Sequence, residues 1–209
     1  MSSKKKLKIA IIDYGINNTR SVVNALRLLN VKSTVTSKID VMKKSDAIIL
    51  PGVGAFGQAM KNLDNLNITE SLKELTLVKE YPFLGICLGM QLMADSSEEK
   101  GEFKGLSLIS GKVKKISDKK NLRVPHMGWN NLILNKKNQI FKNIENNSSF
   151  YFVHSYHYVC DKKYTLAEVD YGKKIVAVIN HCNLYGVQFH PERSHFKGMK
   201  IIENFLDII

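Results

Sequence analysis

A chain of 209 residues is long enough for one α/β domain with a sizeable hydrophobic core. The formal net charge of +12 comes from lysines scattered along the chain, without the motifs of nucleic-acid-binding proteins, so we expect no nucleic-acid partner. No apolar run reaches about 18 residues, and no membrane span is predicted. The three cysteines are an odd number, which argues against a disulfide framework and predicts a cytoplasmic protein.

The first half of the sequence alternates strand-like and helix-like patterns. Apolar runs predict strands at residues 7–12, 32–36, 47–50 and 82–86. Pro51 should end the third strand. One helix is predicted from Thr19, as its cap, to about residue 29, and another from the capping-box pattern of Ser71 and Glu74 to about residue 80. This alternation predicts a mostly parallel sheet with helices on both faces.

The second half of the sequence has short β-type segments instead. They lie at residues 150–154, 157–160, 175–179 and 184–189. An amphipathic stretch at residues 195–209 predicts a closing helix. Because no linker-like stretch or internal repeat separates the halves, we predict one domain over residues 1–209. Its fold class is α/β, with a mixed, mostly parallel central sheet and flanking helices.

The most informative motif surrounds Cys87 and reads P-F-L-G-I-C-L-G-M-Q. Cys87 stands between an apolar run and a helix-like stretch, with Gly85 and Gly89 two residues away on either side. This is the cysteine version of the G-x-S-x-G pattern, in which a strained strand-to-helix turn presents a nucleophile. A Cβ at either glycine would crowd that turn. The helix N-terminus favours a thiolate, so we predict that Cys87 is a nucleophile.

A second motif, Q-F-H-P-E, follows about a hundred residues later. His190 in this motif can move protons, and Glu192 can fix the tautomer of His190. Cys160 and Cys182 are not framed by glycines, and we interpret them as small buried hydrophobic residues.

Attack on an amide also requires hydrogen-bond donors for the developing oxyanion. The backbone amide of Leu88, directly after the predicted nucleophile, is the first candidate. The loop P-G-V-G-A-F at residues 51–56 is the candidate for the second, since its two glycines let backbone amides face a ligand.

The motifs G-I-C-L-G-M-Q and F-H-P-E together resemble the class I, triad-type glutamine amidotransferases. P-G-V-G-A-F, P-H-M-G-W-N and Y-F-V-H-S-Y narrow the resemblance to the glutaminase subunits of imidazole glycerol phosphate synthase, and it spans nearly the whole chain. The resemblance implies a flavodoxin-like fold and hydrolysis of glutamine to glutamate and ammonia, with no cofactor. Cys87 would attack the glutamine amide, His190 would transfer protons, and Glu192 would hold His190.

The same resemblance assigns further roles. The amides of Val53 and Leu88 would form the oxyanion hole, with the Val53 peptide reorienting. Glutamine would be bound by Gly52, Gly54, Gln91, His154, Ser155 and Tyr156. Ammonia would pass to a HisF-type (β/α)8-barrel cyclase, the partner in a heterodimer that forms imidazole glycerol phosphate and AICAR in histidine biosynthesis. The resemblance places Asn18, Trp129 and Arg193 at the interface with that partner.

Two positions depart from the family pattern. Asn17 replaces a glycine of the first loop, and Arg193 follows H-P-E where lysine is common. Arginine presents a planar fork rather than a point charge, so the second change is not neutral at a contact. These departures motivate an alternative, in which a paralogous subunit supplies ammonia for amidination of a surface sugar.

Two functions of a different class are disfavoured by particular motifs. The intact set of Cys87, His190 and Glu192 argues against an inactive regulatory module, and P-H-M-G-W-N argues against a cysteine peptidase on the same fold. No histidine has zinc-type spacing with cysteines, so no metal site is predicted. His126 and His157 are interpreted as structural.

Overall fold

The computed structural model describes residues 7–16, 18–116 and 122–209. Asn17, one of the two departures from the family pattern, lies outside these residues. The regular elements are, in chain order, β1 (Lys8–Ile12), α1 (Thr19–Leu28), β2 (Lys32–Thr36), α2 (Ile39–Lys43), β3 (Ala47–Gly52), α3 (Phe56–Asn65), α4 (Thr69–Lys73, continued by a wider π turn, Glu74–Val78), β4 (Phe83–Cys87), α5 (Leu88–Leu92), β5 (Ser96–Ser97), β6 (Phe103–Lys104), β7 (Gly111–Lys115), β8 (His126–Leu134), β9 (Ser149–His154), β10 (Tyr156–Cys160), β11 (Thr165–Asp170), β12 (Lys174–His181), β13 (Leu184–Val187) and α6 (His195–Ile208). Short 3₁₀ turns cover Gln139–Phe141 and Pro191–Arg193.

The central sheet is mixed. Its nine strands lie in the order β2-β1-β3-β4-β13-β12-β11-β8-β9. The first five strands are parallel to their neighbours, and the pairs from β13 to β9 are antiparallel. A smaller sheet has the order β10-β7-β5-β6. The predicted α/β class with a mixed central sheet is confirmed.

Both faces of β1, β3 and β4 are buried, which explains their unbroken apolar runs. In β1, Ile9 and Ile11 pack on one face with α1 and α6, whereas Ala10 and Ile12 pack on the other with α3 and α4. β3 alternates in the same way. None of the helices in the described ranges is long and apolar enough to cross a membrane.

Pro51 does not end β3, contrary to the prediction from sequence. The strand runs to Gly52, and Pro51 pairs with Ile86 of β4. Proline lacks the N–H that a paired strand residue donates. This loss breaks no hydrogen bond to β1, because the pairing of β3 with β1 ends at Ile49, two residues before Pro51. The Pro51 carbonyl accepts a hydrogen bond from the Tyr14 hydroxyl at 3.0 Å.

Two helix starts and two cysteines also differ from the predictions. Asn18, not Thr19, occupies the cap position of α1. α4 begins at Thr69, so Ser71 lies inside the helix and forms no capping box. Cys160 is only partly buried. Cys182 is exposed in the turn between β12 and β13 rather than buried, because its backbone there has φ 50° and turns the chain back between the two strands.

Parallel pairing brings the predicted functional loops to one edge of the sheet. β3, β4 and β13 are adjacent, with Pro51 opposite Ile86 and Ile86 opposite Val187. The residues that follow these strands therefore emerge side by side at their carboxyl ends, where sites in open α/β sheets lie.

Candidate active site

Cys87 occupies a strained turn between β4 and α5. Its backbone has φ 53° and ψ −108°, a conformation that residues other than glycine rarely adopt. A Cβ on Gly89 would lie 1.7 Å from the Leu50 carbonyl oxygen, and one on Gly85 would lie 2.7 Å from the Gly89 oxygen. The crowding predicted for these two glycines is confirmed, and it explains why the nucleophile pattern requires them.

His190 and Glu192 form a buried pair beside Cys87. The Nδ1 atom of His190 lies 2.8 Å from Oε1 of Glu192, and both side chains are almost completely buried. The other ring nitrogen, Nε2, is buried and makes no hydrogen bond of ordinary geometry with the described residues, although the ring interacts with the Cys87 sulfur. Burial alone lowers the pKa of His190, but Cys87 and Glu192 outweigh it and raise that pKa to about 10. Both neighbours therefore favour the protonated ring.

A cavity of about 360 Å³ opens in front of Cys87. This volume is at the small end of ligand pockets and suits a single amino acid. The lining residues are Val53, Gly54, Cys87, Leu88, Gln91, Glu99, Pro125, Val153, His154, Ser155, Tyr156 and His190. Glu192 and Gly52 are not among the lining residues: Glu192 contacts His190, and Gly52 is buried in β3, where an added Cβ would meet the Tyr14 hydroxyl and Leu88.

One wall of the cavity is the point where the chain changes sheets. β9 belongs to the large sheet and ends at His154, β10 belongs to the small sheet and begins at Tyr156, and Ser155 joins them. The Ser155 carbonyl accepts a hydrogen bond from the amide of Ile116 at 2.9 Å. Three of the predicted glutamine-binding residues, His154, Ser155 and Tyr156, are thus held in position by both sheets.

Two buried histidines support this wall. Nδ1 of His154 lies 2.8 Å from the Tyr156 carbonyl oxygen and must donate to it. Nε2 of His154 therefore accepts from Nδ1 of His126 at 3.0 Å, and Nε2 of His126 accepts from Asn130 at 3.2 Å. Burial lowers the pKa of His126 to about 4 and that of His154 to about 3, in agreement with two neutral rings.

Glu99 is a candidate that the sequence did not reveal. It is the one carboxylate among the described residues that line the cavity. Its Oε2 atom accepts a hydrogen bond from the amide of Phe56, the first residue of α3, at 2.7 Å. This contact joins two segments 43 residues apart, and nothing in the local sequence distinguishes Glu99 from Glu98.

The two predicted oxyanion donors are in different situations. Leu88 is the first residue of α5, so its amide has no partner within that helix. The amide of Val53 instead donates to the Ile16 carbonyl at 3.4 Å. Val53 is 40% exposed, and the following Gly54 has φ 99°. The Val53 amide must leave Ile16 before it can face a substrate.

The predicted partner-contact residues lie outside the cavity. Trp129 is 49% exposed and stacks on His195 with ring centroids 5.0 Å apart, next to the exposed Arg193. Asn18 precedes α1, which packs against the 3₁₀ turn that contains Arg193. The Nδ2 atom of Asn18 is buried and has no partner among the described residues, while Oδ1 accepts from Ser21 at 3.1 Å.

Comparison with known proteins gives a consistent result. Residues 10–209 match the family model of the class I glutamine amidotransferases. The chain is 45% identical to imidazole glycerol phosphate synthase subunit HisH 2 of Vibrio vulnificus, over 96% of this chain and 94% of that protein. It is also 45% identical to subunit HisH of Methanocaldococcus jannaschii, over 96% of this chain and 100% of that protein.

A solved structure has the same fold. A chain of PurLQS from Thermotoga maritima superposes with a TM-score of 0.74 at 19% identity, covering 98% of this chain and 99% of that chain. From the family model and the near-full-length relatives together, we conclude that the chain belongs to the class I glutamine amidotransferases and, within them, to the HisH subunits of imidazole glycerol phosphate synthase.

Proposed function

We propose that the chain is the glutaminase subunit of an imidazole glycerol phosphate synthase. It hydrolyses glutamine to glutamate and ammonia and delivers the ammonia to a HisF-type (β/α)8-barrel cyclase in histidine biosynthesis. The observation that carries this proposal is the strained Cys87 turn beside the buried His190–Glu192 pair in one small cavity. The family membership supports the same activity.

The proposed first step is attack by the Cys87 thiolate on the side-chain amide carbon of glutamine. The C–S bond forms as the carbonyl π electrons move to oxygen. His190, held protonated by Cys87 and Glu192, then gives its proton to the leaving nitrogen, and ammonia departs from a thioester. Neutral His190 next takes a proton from water, the resulting hydroxide attacks the thioester, and glutamate and the thiolate are released.

The oxyanion of each tetrahedral intermediate requires two amide donors. Leu88 supplies one from the N-terminus of α5. Val53 supplies the second after its amide leaves the Ile16 carbonyl. Because Ile16 belongs to the loop that precedes the predicted partner contact at Asn18, partner binding is suited to release it.

Glutamine also carries a charged α-ammonium and α-carboxylate, which the cavity must recognise. We assign the ammonium to Glu99, whose Oε1 atom remains available while Oε2 caps α3. Gln91, His154, Ser155 and Tyr156 also line the cavity and are proposed to set the orientation of the substrate. In the proposed orientation, the side-chain amide of glutamine faces Cys87.

The partner is proposed from the family and from the exposed face that carries Trp129 and Arg193. An exposed tryptophan stacked on a neighbouring ring is a typical hot-spot residue of interfaces. The relatives carry the name of imidazole glycerol phosphate synthase, which favours the histidine pathway over amidination of a surface sugar.

Growth without histidine tests the proposed pathway. The gene is placed in a strain that lacks its own glutaminase subunit and grows at limiting ammonium, where free ammonia cannot replace delivered ammonia. We expect growth with the unmodified chain and none with Cys87→Ala. Glutamine hydrolysis by the purified chain without restored growth would assign the ammonia to a different acceptor.

A further inference from the structure

Two buried glutamines connect the cavity wall to the sulfur of Cys87. Gln91 lies in α5, and Gln188 follows β13 directly. Nε2 of Gln91 lies 3.0 Å from Oε1 of Gln188, and Nε2 of Gln188 lies 3.7 Å from Sγ of Cys87. The side chain of Gln188 is completely buried, and the mechanism above gives it no role.

The orientation of both amides is fixed by their partners. The Tyr156 carbonyl can only accept, so the atom of Gln91 that lies 2.9 Å from it must be the nitrogen. The second N–H of that nitrogen faces Gln188, whose nearer atom must therefore be the oxygen. Only the Gln188 nitrogen is left for Cys87. His154 donates to the same Tyr156 carbonyl and so fixes the anchor of this relay.

An N–H directed at sulfur favours the charged form of the thiol. A hydrogen bond to an anion is stronger than one to a neutral acceptor, and a buried site screens it little. Sγ also lies 3.8 Å from the Val153 carbonyl, which accepts from a thiol and so favours the neutral form. Two titratable groups interact with Cys87 as well: His190, which favours the thiolate when protonated, and the Tyr14 hydroxyl. Gln188 opposes the contact with Val153 from the interior of the protein.

We propose that Gln188 is a catalytic residue whose side-chain N–H stabilises the thiolate of Cys87, and that Gln91 positions this amide. The inference rests on the proposed function, in which Cys87 is the nucleophile. Gln188 would then be a fourth group, beside Cys87, His190 and Glu192, that contacts the reacting sulfur. It is the first residue of the Q-F-H-P-E motif.

Alkylation of Cys87 measures thiolate formation without requiring glutaminase activity. The full-length chain is treated with iodoacetamide across a range of pH, and the peptide that carries Cys87 is quantified by mass spectrometry. Gln188→Met keeps the size of the side chain and removes the donor. We expect half-maximal alkylation to move to higher pH and the rate at pH 7 to fall at least about threefold. Asn204→Leu is the control, because it removes a buried amide that is hydrogen-bonded to the carbonyls of Ile140 and Lys142. It should leave the pH of half-maximal alkylation and the rate at pH 7 unchanged.

Gln91→Met is the second variant. It keeps Gln188 but removes the Gln91 amide that orients the Gln188 side chain. We expect a shift in the same direction, and no further shift when both changes are combined. Unchanged alkylation in a folded Gln188→Met or Gln91→Met chain would overturn the proposal. Loss of folding in both, with Asn204→Leu still folded, would assign the pair to the fold instead and also overturn it.

The same measurement separates this proposal from the proposed function. A shift in alkylation together with absent glutamine hydrolysis would retain Gln188 as a donor to Cys87 and reject the glutaminase. Normal hydrolysis with unshifted alkylation would retain the glutaminase and reject the donor.

Discussion

The amide of Val53, a predicted oxyanion donor, is hydrogen-bonded to the carbonyl of Ile16 at 3.4 Å. This contact joins the loop after β3 to the loop after β1, the loop that leads to Asn18. Cys87 and His190 are therefore in place while one predicted oxyanion donor is engaged elsewhere. We propose release of the Val53 amide as the step by which a partner controls the chemistry.

Val53→Gly should raise the basal glutaminase rate of the isolated chain. Without the β-branched side chain, φ at residue 53 is less restricted, so the 52–53 peptide that carries this N–H can rotate more easily and the amide reaches the oxyanion position more often. We expect an increase of about threefold or more in kcat, and a smaller activation by the ligand-bound barrel partner. Val35→Gly in β2 is the matched control, since Val35 has the same 40% exposure. An isolated wild-type chain with full activity that no partner changes would contradict this account.

Glu192→Gln should lower the pKa of His190, because the carboxylate is one of the groups that raise it. The imidazolium that protonates the leaving nitrogen would then lose its proton at lower pH. We therefore expect the alkaline limb of the kcat profile to shift to lower pH and kcat to fall by about tenfold or more. NMR titration of the His190 ring measures the pKa directly. An unchanged pKa would show that Glu192 only packs against the ring.

The contact between His190 and Glu192 should also make the stability of the fold depend on pH. The pKa of His190 in the folded chain lies above its value of about 6.5 in the unfolded chain. Its stabilising contribution is complete below about pH 6.5 and is lost as pH rises towards about 10. Urea unfolding should therefore show a smaller loss of stability across this window in Glu192→Gln than in the wild type.

The stability contributed by His126 and His154 has the opposite pH dependence to that of His190. Their pKa values of about 4 and about 3 lie below the unfolded value, so their contribution is complete above about pH 6.5 and is lost as pH falls towards 4. We expect His126→Asn to reduce the loss of unfolding free energy between about pH 6.5 and about pH 4, measured in urea. His181→Asn, at an exposed position, is the control. Identical pH dependence in His126→Asn and the wild type would contradict neutral burial of the ring.

Glu99→Gln should raise KM for glutamine by about tenfold or more and change kcat less. The amide oxygen can still accept from Phe56, so α3 keeps its cap, but the charge opposite the substrate ammonium is lost. Glu102→Gln changes an exposed carboxylate three residues away and serves as the control. A fall in kcat with unchanged KM would remove Glu99 from substrate binding.

The sequence predicted those parts of the site that local pattern determines. Gly85 and Gly89 indicated the turn at Cys87 because close backbone approach there excludes a side chain. Continuous apolar runs predicted β1, β3 and β4, since burial on both faces leaves an unbroken signal.

Some features depend instead on contacts between distant segments. Glu99 reaches the site through a hydrogen bond across 43 residues, and Gln91 and Gln188 meet across 97. The sequence predicted that Pro51 ends the strand because proline cannot donate a backbone hydrogen bond. Only the structure shows that the pairing of β3 with β1 ends at Ile49, so no donor is needed at Pro51 on that side. Such relationships follow from the register of the sheet, which local propensity does not encode.

Replacement of Cys87 by alanine tests the central claim most directly. Glutamate release is measured with the chain bound to its barrel partner, and circular dichroism checks that the variant is folded. Loss of a covalent nucleophile should lower kcat by at least about a thousandfold, and the wild-type Cys87 peptide, but not the variant, should carry a glutamyl thioester after rapid acid quenching. A folded Cys87→Ala chain that keeps more than about a tenth of the rate would contradict the assignment of Cys87 as the nucleophile.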